Sequence, residues 1–128
     1  MKHDGLADVF SIIKNTEGVG KKECLVPASK LAADVLRIMK ENEYIGKFES
    51  IDEGRGAKFK VHLVGNINDC HIIKPRFSAK NDEFIKWEKR FLPTNNMGII
   101  LVTTPQGVMD HRKAKSSGLG GQLLGYVY

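Results

Sequence analysis

The spacing of apolar residues changes along the chain, and this change constrains the fold more than any other feature of the sequence. Apolar side chains recur at the spacing of one helix face in two segments, residues 4–15 and residues 27–43. Over residues 58–64 they instead alternate with polar side chains, which is typical of a half-buried strand. A chain with both periods is neither all-helical nor all-β, so we expect an α+β fold built from two small lobes.

Residues 1–65 are predicted to form a helix–strand–helix–hairpin lobe. Its elements are a helix over residues 4–15 capped by Asp4, an extended segment Glu23–Val26, a helix opened by Pro27 and Ala28 that ends around Glu43, and strands at Phe48–Asp52 and Lys58–Val64. The glycines of Glu53-Gly54-Arg55-Gly56 suit a hairpin turn between the two strands. The alternation also predicts a basic stripe on one face of the hairpin, made of Lys58, Lys60 and His62.

Residues 66–128 are predicted to form a second lobe that is mostly β with a short helix. The clearest strand runs from Gly98 to Thr104, and Pro105-Gln106-Gly107 turns the chain after it. Asp110 is predicted to cap a short helix that ends at Lys115 or Ser116. The remaining predicted elements are an extended run Cys70–Ile73, a short helix that carries Phe84, Trp87 and Phe91 and ends before Pro93, a glycine turn at Gly120-Gly121, and a closing strand Gln122–Tyr128.

The net charge of +5 is concentrated in the second half of the 128-residue chain. Residues 65–128 hold nine basic and five acidic side chains, against 11 and 10 in residues 1–64. A basic half favours an anionic partner, nucleic acid first, although a basic solvated surface gives the same count. No apolar run approaches a membrane span, and the first residues lack the apolar block of a signal peptide, so we expect a cytoplasmic protein with no membrane partner.

Catalytic and metal-binding patterns have little support in this sequence. The four histidines are scattered, and the two cysteines, Cys24 and Cys70, form no CxxC pair. Cys70 and His71 are adjacent, but consecutive side chains of a strand point to opposite faces. We therefore expect no metal site, no cofactor and no enzyme, and an enzyme that uses Cys70 and His71 is a rival hypothesis.

Several residues of the second lobe suit RNA binding. Thr103 and Thr104 leave the apolar strand with hydroxyls that can bond to phosphate, ribose or base edges, although threonines are also common at strand ends. Gly107 and Gly120-Gly121 allow a neighbour to approach the backbone, or simply form turns. Trp87 and Phe91 are expected to belong to the core and not to a base-stacking platform.

Two further groups of residues are candidates for phosphate binding. Ser29 and Lys30 stand in the first turn of the second helix, where free amides and a cation can hold a phosphate. The run from His111 to Lys115 is basic and includes Arg112. A solvated surface is the ordinary explanation for both groups.

The order of these motifs resembles the small-subunit ribosomal protein eight family along nearly the whole chain. The residues that carry the resemblance are Leu6-Ala7-Asp8 with Asn15, Pro27-Ala28-Ser29-Lys30, Gly98 to Gly107 with Val108-Met109, and Gly118-Leu119-Gly120-Gly121 with Leu124 and Tyr126-Val127-Tyr128. Lys74-Pro75-Arg76-Phe77 and the stretch from Trp87 to Pro93 look like the archaeal and eukaryotic branch. Bacterial members carry Glu where this chain has Gln122, and Ser-Thr-Ser-Lys-Gly where it has Thr103 to Gly107.

The resemblance implies a structural constituent of the small ribosomal subunit that binds the central domain of small-subunit ribosomal RNA and supports its folding and the assembly of the subunit. The second lobe would grip an irregular helix of that RNA, neighbouring ribosomal proteins would be further partners, and the free protein would be a monomer. The residues assigned to RNA binding are Ser29, Lys30, Thr103, Thr104, Gln106, Gly107, Arg112, Gly120, Gly121 and Gln122. The alternative is a small protein–protein adaptor that pairs through the exposed closing strand of its second lobe.

Overall fold

The structure, a computed structural model, describes residues 5–52, 54, 56–94 and 97–128, with the backbone alone at Asp52. The chain divides into two compact units, Met1–Ile67 and Asn68–Tyr128. This division falls two residues after the boundary expected from the sequence. The expected cap Asp4 lies outside the described residues, as do two residues of the predicted hairpin turn, Glu53 and Arg55.

The N-terminal unit has the predicted order of helix, strand, helix and hairpin. Its elements are α1 (Gly5–Gly18), β1 (Glu23–Pro27), α2 (Lys30–Glu41), β2 (Ile45–Asp52) and β3 (Ala57–Leu63). The three strands form one antiparallel sheet in the order β1-β3-β2. Its core is built from the apolar stripes of the two helices, with Ile13 from α1, Leu36 and Met39 from α2, and Val61 from β3 all buried.

Several element boundaries in this unit differ from the sequence prediction. Pro27 does not open α2 but ends β1, where it lies opposite Lys58. β1 is an edge strand, and a proline is tolerated there because its missing N–H costs no ladder hydrogen bond. α1 continues to Gly18. β2 begins at Ile45 and not at Phe48, and the sequence does not show this because a bulge between the two residues breaks the alternation there.

The C-terminal unit is a sheet with two short helices packed against it, which confirms the α+β class. Its elements are β4 (Cys70–Ile72), β5 (Ser78–Ala79), a 3-10 turn at Asn81–Glu83, α3 (Phe84–Phe91), β6 (Ile99–Thr104), β7 (Gly107–Asp110), α4 (His111–Ser116) and β8 (Gly121–Val127). The strand order is β4-β8-β6-β7, and β5 also pairs with β8. The helix expected around Trp87 and the helix capped by Asp110 are both present.

The closing strand β8 lies inside the sheet, so the adaptor hypothesis, which needs it exposed, is wrong on this point. β6 covers one edge of β8, and β4 and β5 cover the other. The gap between β4 and β5 is also closed, because Leu123 N donates to Phe77 O and Ile73 N donates to Leu124 O, each at 2.9 Å. The backbone of β8 therefore offers no free edge for pairing with another chain.

The core of the C-terminal unit lies between the sheet and its helices. Ile100, Val102 and Leu123 face Phe84 and Trp87 of α3 there, and all five are buried. Gly98 has a φ of +95°, and a Cβ at this position would lie 2.8 Å from Val127 O, so only glycine fits where β6 begins. In the part of the chain that the structure describes, no helix is long and apolar enough to cross a membrane.

Candidate nucleic-acid interface

Three polar side chains form a row across the face of the C-terminal sheet that α3 does not cover. The strand register places Gln122 of β8 opposite Thr103 of β6 on one side and opposite Ser78 of β5 on the other. Directly opposite residues of an antiparallel pair project from the same face. The next pair, Val102 and Leu123, is buried with α3 on the opposite face, so Ser78, Gln122 and Thr103 project from the face without α3, and we call them the polar row.

Gln122 and Ser78 are exposed, and Thr103 is half-buried. Thr103 and Gln122 were assigned from the sequence, but Ser78 was missed. Only the pairing of a two-residue strand brings Ser78 to the row, and no local pattern in the sequence indicates that pairing.

Thr104 does not share a face with Thr103, because the two are consecutive residues of one strand. Only 9% of Thr104 is exposed, and its hydroxyl lies inside the β6–β7 turn. The hydroxyl donates to Gly107 O at 2.8 Å and accepts from Gln106 N at 3.2 Å. The only proton of the hydroxyl is used within the turn, so Thr104 fixes the shape of the turn. Its oxygen keeps one acceptor lone pair for a ligand.

The three assigned glycines have different surroundings. Gly107 has a φ of +116°, and no other atom lies within 4 Å of the place that a Cβ would take, so the turn leaves open space there. A Cβ on Gly120 would lie 2.6 Å from Ala79 O, and a Cβ on Gly121 would collide with Thr103 O. The neighbours that approach Gly120 and Gly121 are thus the protein's own strands, and these glycines set how closely β8 lies to β5 and β6.

The basic run of α4 contains both exposed and buried residues. Asp110 Oδ1 accepts from Lys113 N at 2.9 Å and caps the helix, and Arg112, Lys113 and Lys115 are exposed on it. His111 is fully buried, so its assignment to a solvated basic surface is wrong. It occupies the first helical position after the cap, where its ring turns into the core against β6 and α3.

The buried ring of His111 joins three elements. Nδ1 accepts from Ile100 N of β6 at 3.0 Å, and Nε2 lies 3.3 Å from Glu88 Oε1 of α3. Nδ1 must be unprotonated to accept this bond, so the neutral ring carries its proton on Nε2, which is near Glu88 but forms no hydrogen bond with it. Burial lowers the pKa of His111 below its ordinary value, and the nearby Glu88 carboxylate opposes the shift only in part.

The phosphate candidates Ser29 and Lys30 belong to the N-terminal unit. Ser29 is the N-cap of α2, and its Oγ accepts from Ala32 N at 3.0 Å. Lys30 is the first residue of the helix and is exposed. The cap uses an acceptor of Ser29 and leaves its hydroxyl proton available to a phosphate oxygen.

The predicted basic stripe of the hairpin is offset by acidic neighbours. Lys60 Nζ lies 3.5 Å from Glu23 Oε2, and the His62 ring lies between Glu23 at 3.7 Å and Glu49 at 3.8 Å. These carboxylates come from the strands on either side, β1 and β2. The stripe is therefore part of a mixed-charge sheet face and not a free cationic surface.

Cys70 and His71 lie on opposite faces of β4, as their spacing predicts. Cys70 is buried, whereas His71 is exposed with its Nε2 at 3.2 Å from Asp69 Oδ2. Over the described ranges, no group of three or more His, Cys, Asp or Glu side chains is placed to hold a metal ion.

Comparison with known proteins gives one consistent result. The family described as Ribosomal protein S8 matches residues 4–128. A curated relative, the small ribosomal subunit protein uS8 of the archaeon Methanococcoides burtonii, is 49% identical over 126 residues, which cover 98% of this chain and 97% of the relative. The chain therefore belongs to the ribosomal protein S8 family, in its archaeal and eukaryotic branch.

Proposed function

We propose that the C-terminal unit is the main RNA-binding part of this chain and that it grips an irregular helix in the central domain of small-subunit ribosomal RNA. Membership of the ribosomal protein S8 family makes the chain a structural protein of the small ribosomal subunit, and that subunit is its location. Its work is binding and not catalysis. The free chain is a monomer that meets its RNA and its protein neighbours during assembly of the subunit.

The observation that carries the proposal is the polar row beside a turn of fixed shape. A regular RNA helix hides its base edges in a deep groove and displays 2′-hydroxyls across a wide, shallow one. Thr103, Gln122 and Ser78 offer hydroxyl and amide groups, which both donate and accept, on one face of the sheet. Neutral groups of this kind read hydroxyls and distorted base edges, whereas a cluster of lysines reads only charge.

The turn after β6 supplies the second part of the surface. Because the Thr104 hydroxyl joins Gln106 N and Gly107 O, the turn keeps one shape without RNA. Gln106 is exposed at its tip, and the open space at Gly107 lets an RNA backbone come close. A preformed turn lowers the ordering cost of binding.

Gly120 and Gly121 contribute by placing other residues. Their missing side chains let β8 lie tightly against β5 and β6, which fixes Gln122 between Ser78 and Thr103. Arg112, which is exposed on α4, is assigned to phosphate, and Ser29 with Lys30 adds phosphate contacts from the N-terminal unit.

The test is the affinity of a Thr103→Val variant for a transcribed central-domain helix, measured by calorimetry. Valine keeps the shape of threonine and its strand propensity but loses the hydroxyl, and Thr103 is only half-buried, so we expect the fold to stay intact. The expected loss is about 1–2 kcal/mol, which is about 5- to 30-fold in Kd. Thr94→Val, at an exposed threonine of the same unit, is the matched control and should bind as the wild type does.

Equal affinity of the Thr103→Val variant and the wild type would remove the polar row from the RNA interface. Equal losses in the Thr103→Val and Thr94→Val variants would show an effect on the unit as a whole and would also remove the assignment.

A further inference from the structure

The exposed part of α4 is basic and carries no carboxylate. The helix contains three exposed cationic side chains, Arg112, Lys113 and Lys115, and no Asp or Glu. Its two buried residues, His111 and Ala114, hold the helix against the core and leave the cations in solvent. We call the three cations the α4 basic surface.

The position of α4 in the unit is fixed by hydrogen bonds at both of its ends. At the start of the helix, His111 Nδ1 accepts from Ile100 N of β6 at 3.0 Å. At the end of the helix, Asn81 Nδ2 donates to Lys115 O at 2.9 Å. The backbone that carries the cations is therefore ordered before any ligand arrives, which lowers the ordering cost of binding.

The carboxylates nearest to α4 are engaged elsewhere. Asp110 caps the helix through the backbone amide of Lys113, Glu88 is turned into the core, and Glu83 accepts a backbone hydrogen bond of 2.8 Å at the start of the 3-10 turn. Asp82 is exposed on that turn. Among the residues that the structure describes, none of these four carboxylates forms an ion pair with the α4 basic surface.

The stability of the helix does not account for its cations. Arg112 and Lys115 stand three residues apart, and like charges at this spacing destabilise a helix. Arg112 and Lys113 also lie in the first turn, where the helix dipole disfavours positive charge. An anion bound from outside the protein would relieve both effects.

The chemistry of the surface favours a phosphate backbone over an acidic protein segment. Besides the cations, the exposed positions from Arg112 to Gly118 are Ser116, Ser117 and Gly118, none of them apolar. The apolar residue of the helix, Ala114, is fully buried. Protein interfaces centre on apolar and aromatic side chains and are depleted in lysine, whereas a phosphate backbone is bound by cations and hydroxyls alone.

α4 and the polar row belong to opposite faces of the C-terminal sheet. Ala114 shares a buried cluster with Trp87 of α3, and the His111 ring lies 3.3 Å from Glu88 of the same helix. α4 therefore lies on the face that α3 covers, and the polar row projects from the other face. An RNA helix that lies along the polar row does not cover the α4 basic surface.

We propose that the α4 basic surface binds the phosphate backbone of a second RNA segment, so that the C-terminal unit joins two segments of RNA. The proposal rests on the proposed function in taking RNA as the ligand of the polar row. Arg112, already assigned to phosphate, acts here together with Lys113 and Lys115. Phosphate contacts carry no sequence information, so this surface accepts a regular duplex. An acidic protein segment is the competing occupant, and the experiment separates the two.

The test uses the full-length protein loaded with one equivalent of unlabelled central-domain helix. A labelled regular RNA duplex is then titrated, and its anisotropy is recorded over a series of salt concentrations. We expect the loaded protein to bind the duplex at low salt, because the α4 basic surface stays free. Each phosphate contact adds about 0.7–0.9 to the slope of log affinity against log salt, so three contacts give a slope of roughly 2–3.

Two triple variants that remove the same charge are compared. The α4 variant carries Arg112→Gln, Lys113→Gln and Lys115→Gln, and the control variant carries Lys21→Gln, Lys40→Gln and Lys47→Gln at exposed lysines of the N-terminal unit. Glutamine is a good helix former, so we expect α4 to stay folded. The α4 variant should lose about tenfold or more in duplex affinity at low salt and about 2–3 in slope, and the control variant should lose less than about threefold and less than about 1.

Three results would overturn the proposal. They are no duplex binding by the loaded protein at low salt, equal losses in the two triple variants, and binding of a labelled oligoglutamate, but not of the duplex, that needs the α4 cations. Thr103→Val is measured with both RNAs and should leave duplex binding unchanged. If Thr103→Val weakens helix binding and the α4 variant binds the duplex as the control does, the α4 proposal fails alone. If duplex binding needs the α4 cations and helix binding ignores Thr103, the polar row fails alone.

Discussion

Replacing Thr104 by valine tests how the β6–β7 turn contributes to RNA binding. The change removes the bond to Gly107 O and the bond from Gln106 N and keeps the shape of the side chain. Each such bond is worth about 0.5–1.5 kcal/mol net. Gln106 and Gly107 are exposed, so water can replace both partners, and we expect the free energy of unfolding of the C-terminal unit to fall by only about 1 kcal/mol.

The effect on RNA should be larger than the effect on stability. A turn that no longer keeps one shape must be ordered when RNA binds, and this cost adds to the loss. We expect a total loss of about 1–2 kcal/mol, or about 5- to 30-fold in Kd for the central-domain helix. Thr104→Ser keeps the hydroxyl and should bind within about twofold of the wild type.

Amide hydrogen exchange reports the turn directly, because the Gln106 amide donates to Thr104 Oγ1. Its exchange should be faster in Thr104→Val and nearly unchanged in Thr104→Ser. Faster exchange with unchanged RNA affinity would show that the turn lies outside the interface. Unchanged exchange would refute the hydrogen-bond reasoning itself.

Three further predictions concern other positions. Gly121→Ala forces a Cβ against Thr103 O and should lower the free energy of unfolding by about 1–3 kcal/mol in a urea titration. Ser29→Ala removes the N-cap of α2 and should lower the free energy of unfolding by about 0.5–2 kcal/mol. Lys30→Ala should leave the free energy of unfolding unchanged and reduce the salt dependence of RNA binding by about one phosphate contact. The pKa of His111 in the folded state is below its ordinary value of 6.5, so the unfolded state binds more protons at acid pH. The free energy of unfolding should therefore fall as the pH drops from about 6.5 toward the lowered pKa.

Each of these predictions has its own control and its own contrary result. Gly5→Ala places its Cβ where nothing lies within 4 Å, in a helix, so it should not destabilise the protein. If Gly121→Ala also left the free energy of unfolding unchanged, the packing argument would be contradicted. Ser29→Asp should restore most of the cap. His111→Gln should flatten the pH dependence below about 6.5, and an unchanged slope would mean that other groups produce it.

The order of elements was predictable where the hydrophobic period extends over a full helix or a long strand. The stripes of α1 and α2, the alternation of β3 and the apolar run of β6 each bury enough side chains to determine their own structure. Two short strands, β5 and β7, were not predictable in this way. β7 has four residues and β5 has two, and both exist because a neighbouring strand supplies their hydrogen bonds.

Two local misreadings show how tertiary context overrides a sequence signal. Pro27 is suited equally to the first turn of a helix and to an edge strand, and its pairing opposite Lys58 decides between them. His111 stands in a basic run, but its ring is buried and its Nδ1 accepts a hydrogen bond from the Ile100 amide.

The RNA-binding role of the assigned residues stays a prediction, and the structure shows only where each one lies. Thr103 and Gln122 are paired on one face of the sheet, Gln122 exposed and Thr103 half-buried. Thr104, Gly120 and Gly121 instead hold the protein's own backbone, and hydroxyls and glycines serve both purposes equally well in a sequence. The place of Ser78 depends on which strands meet, so it could be found only in the folded chain.

The most direct test of the central claim is the binding of a transcribed central-domain helix over a series of salt concentrations, beside a regular RNA duplex of equal length. We predict a strong preference for the irregular helix that persists at high salt, because hydroxyl and amide contacts release no counterions. Equal binding of the two RNAs that disappears together as salt rises would contradict the account, since basic charge alone would then explain the interaction.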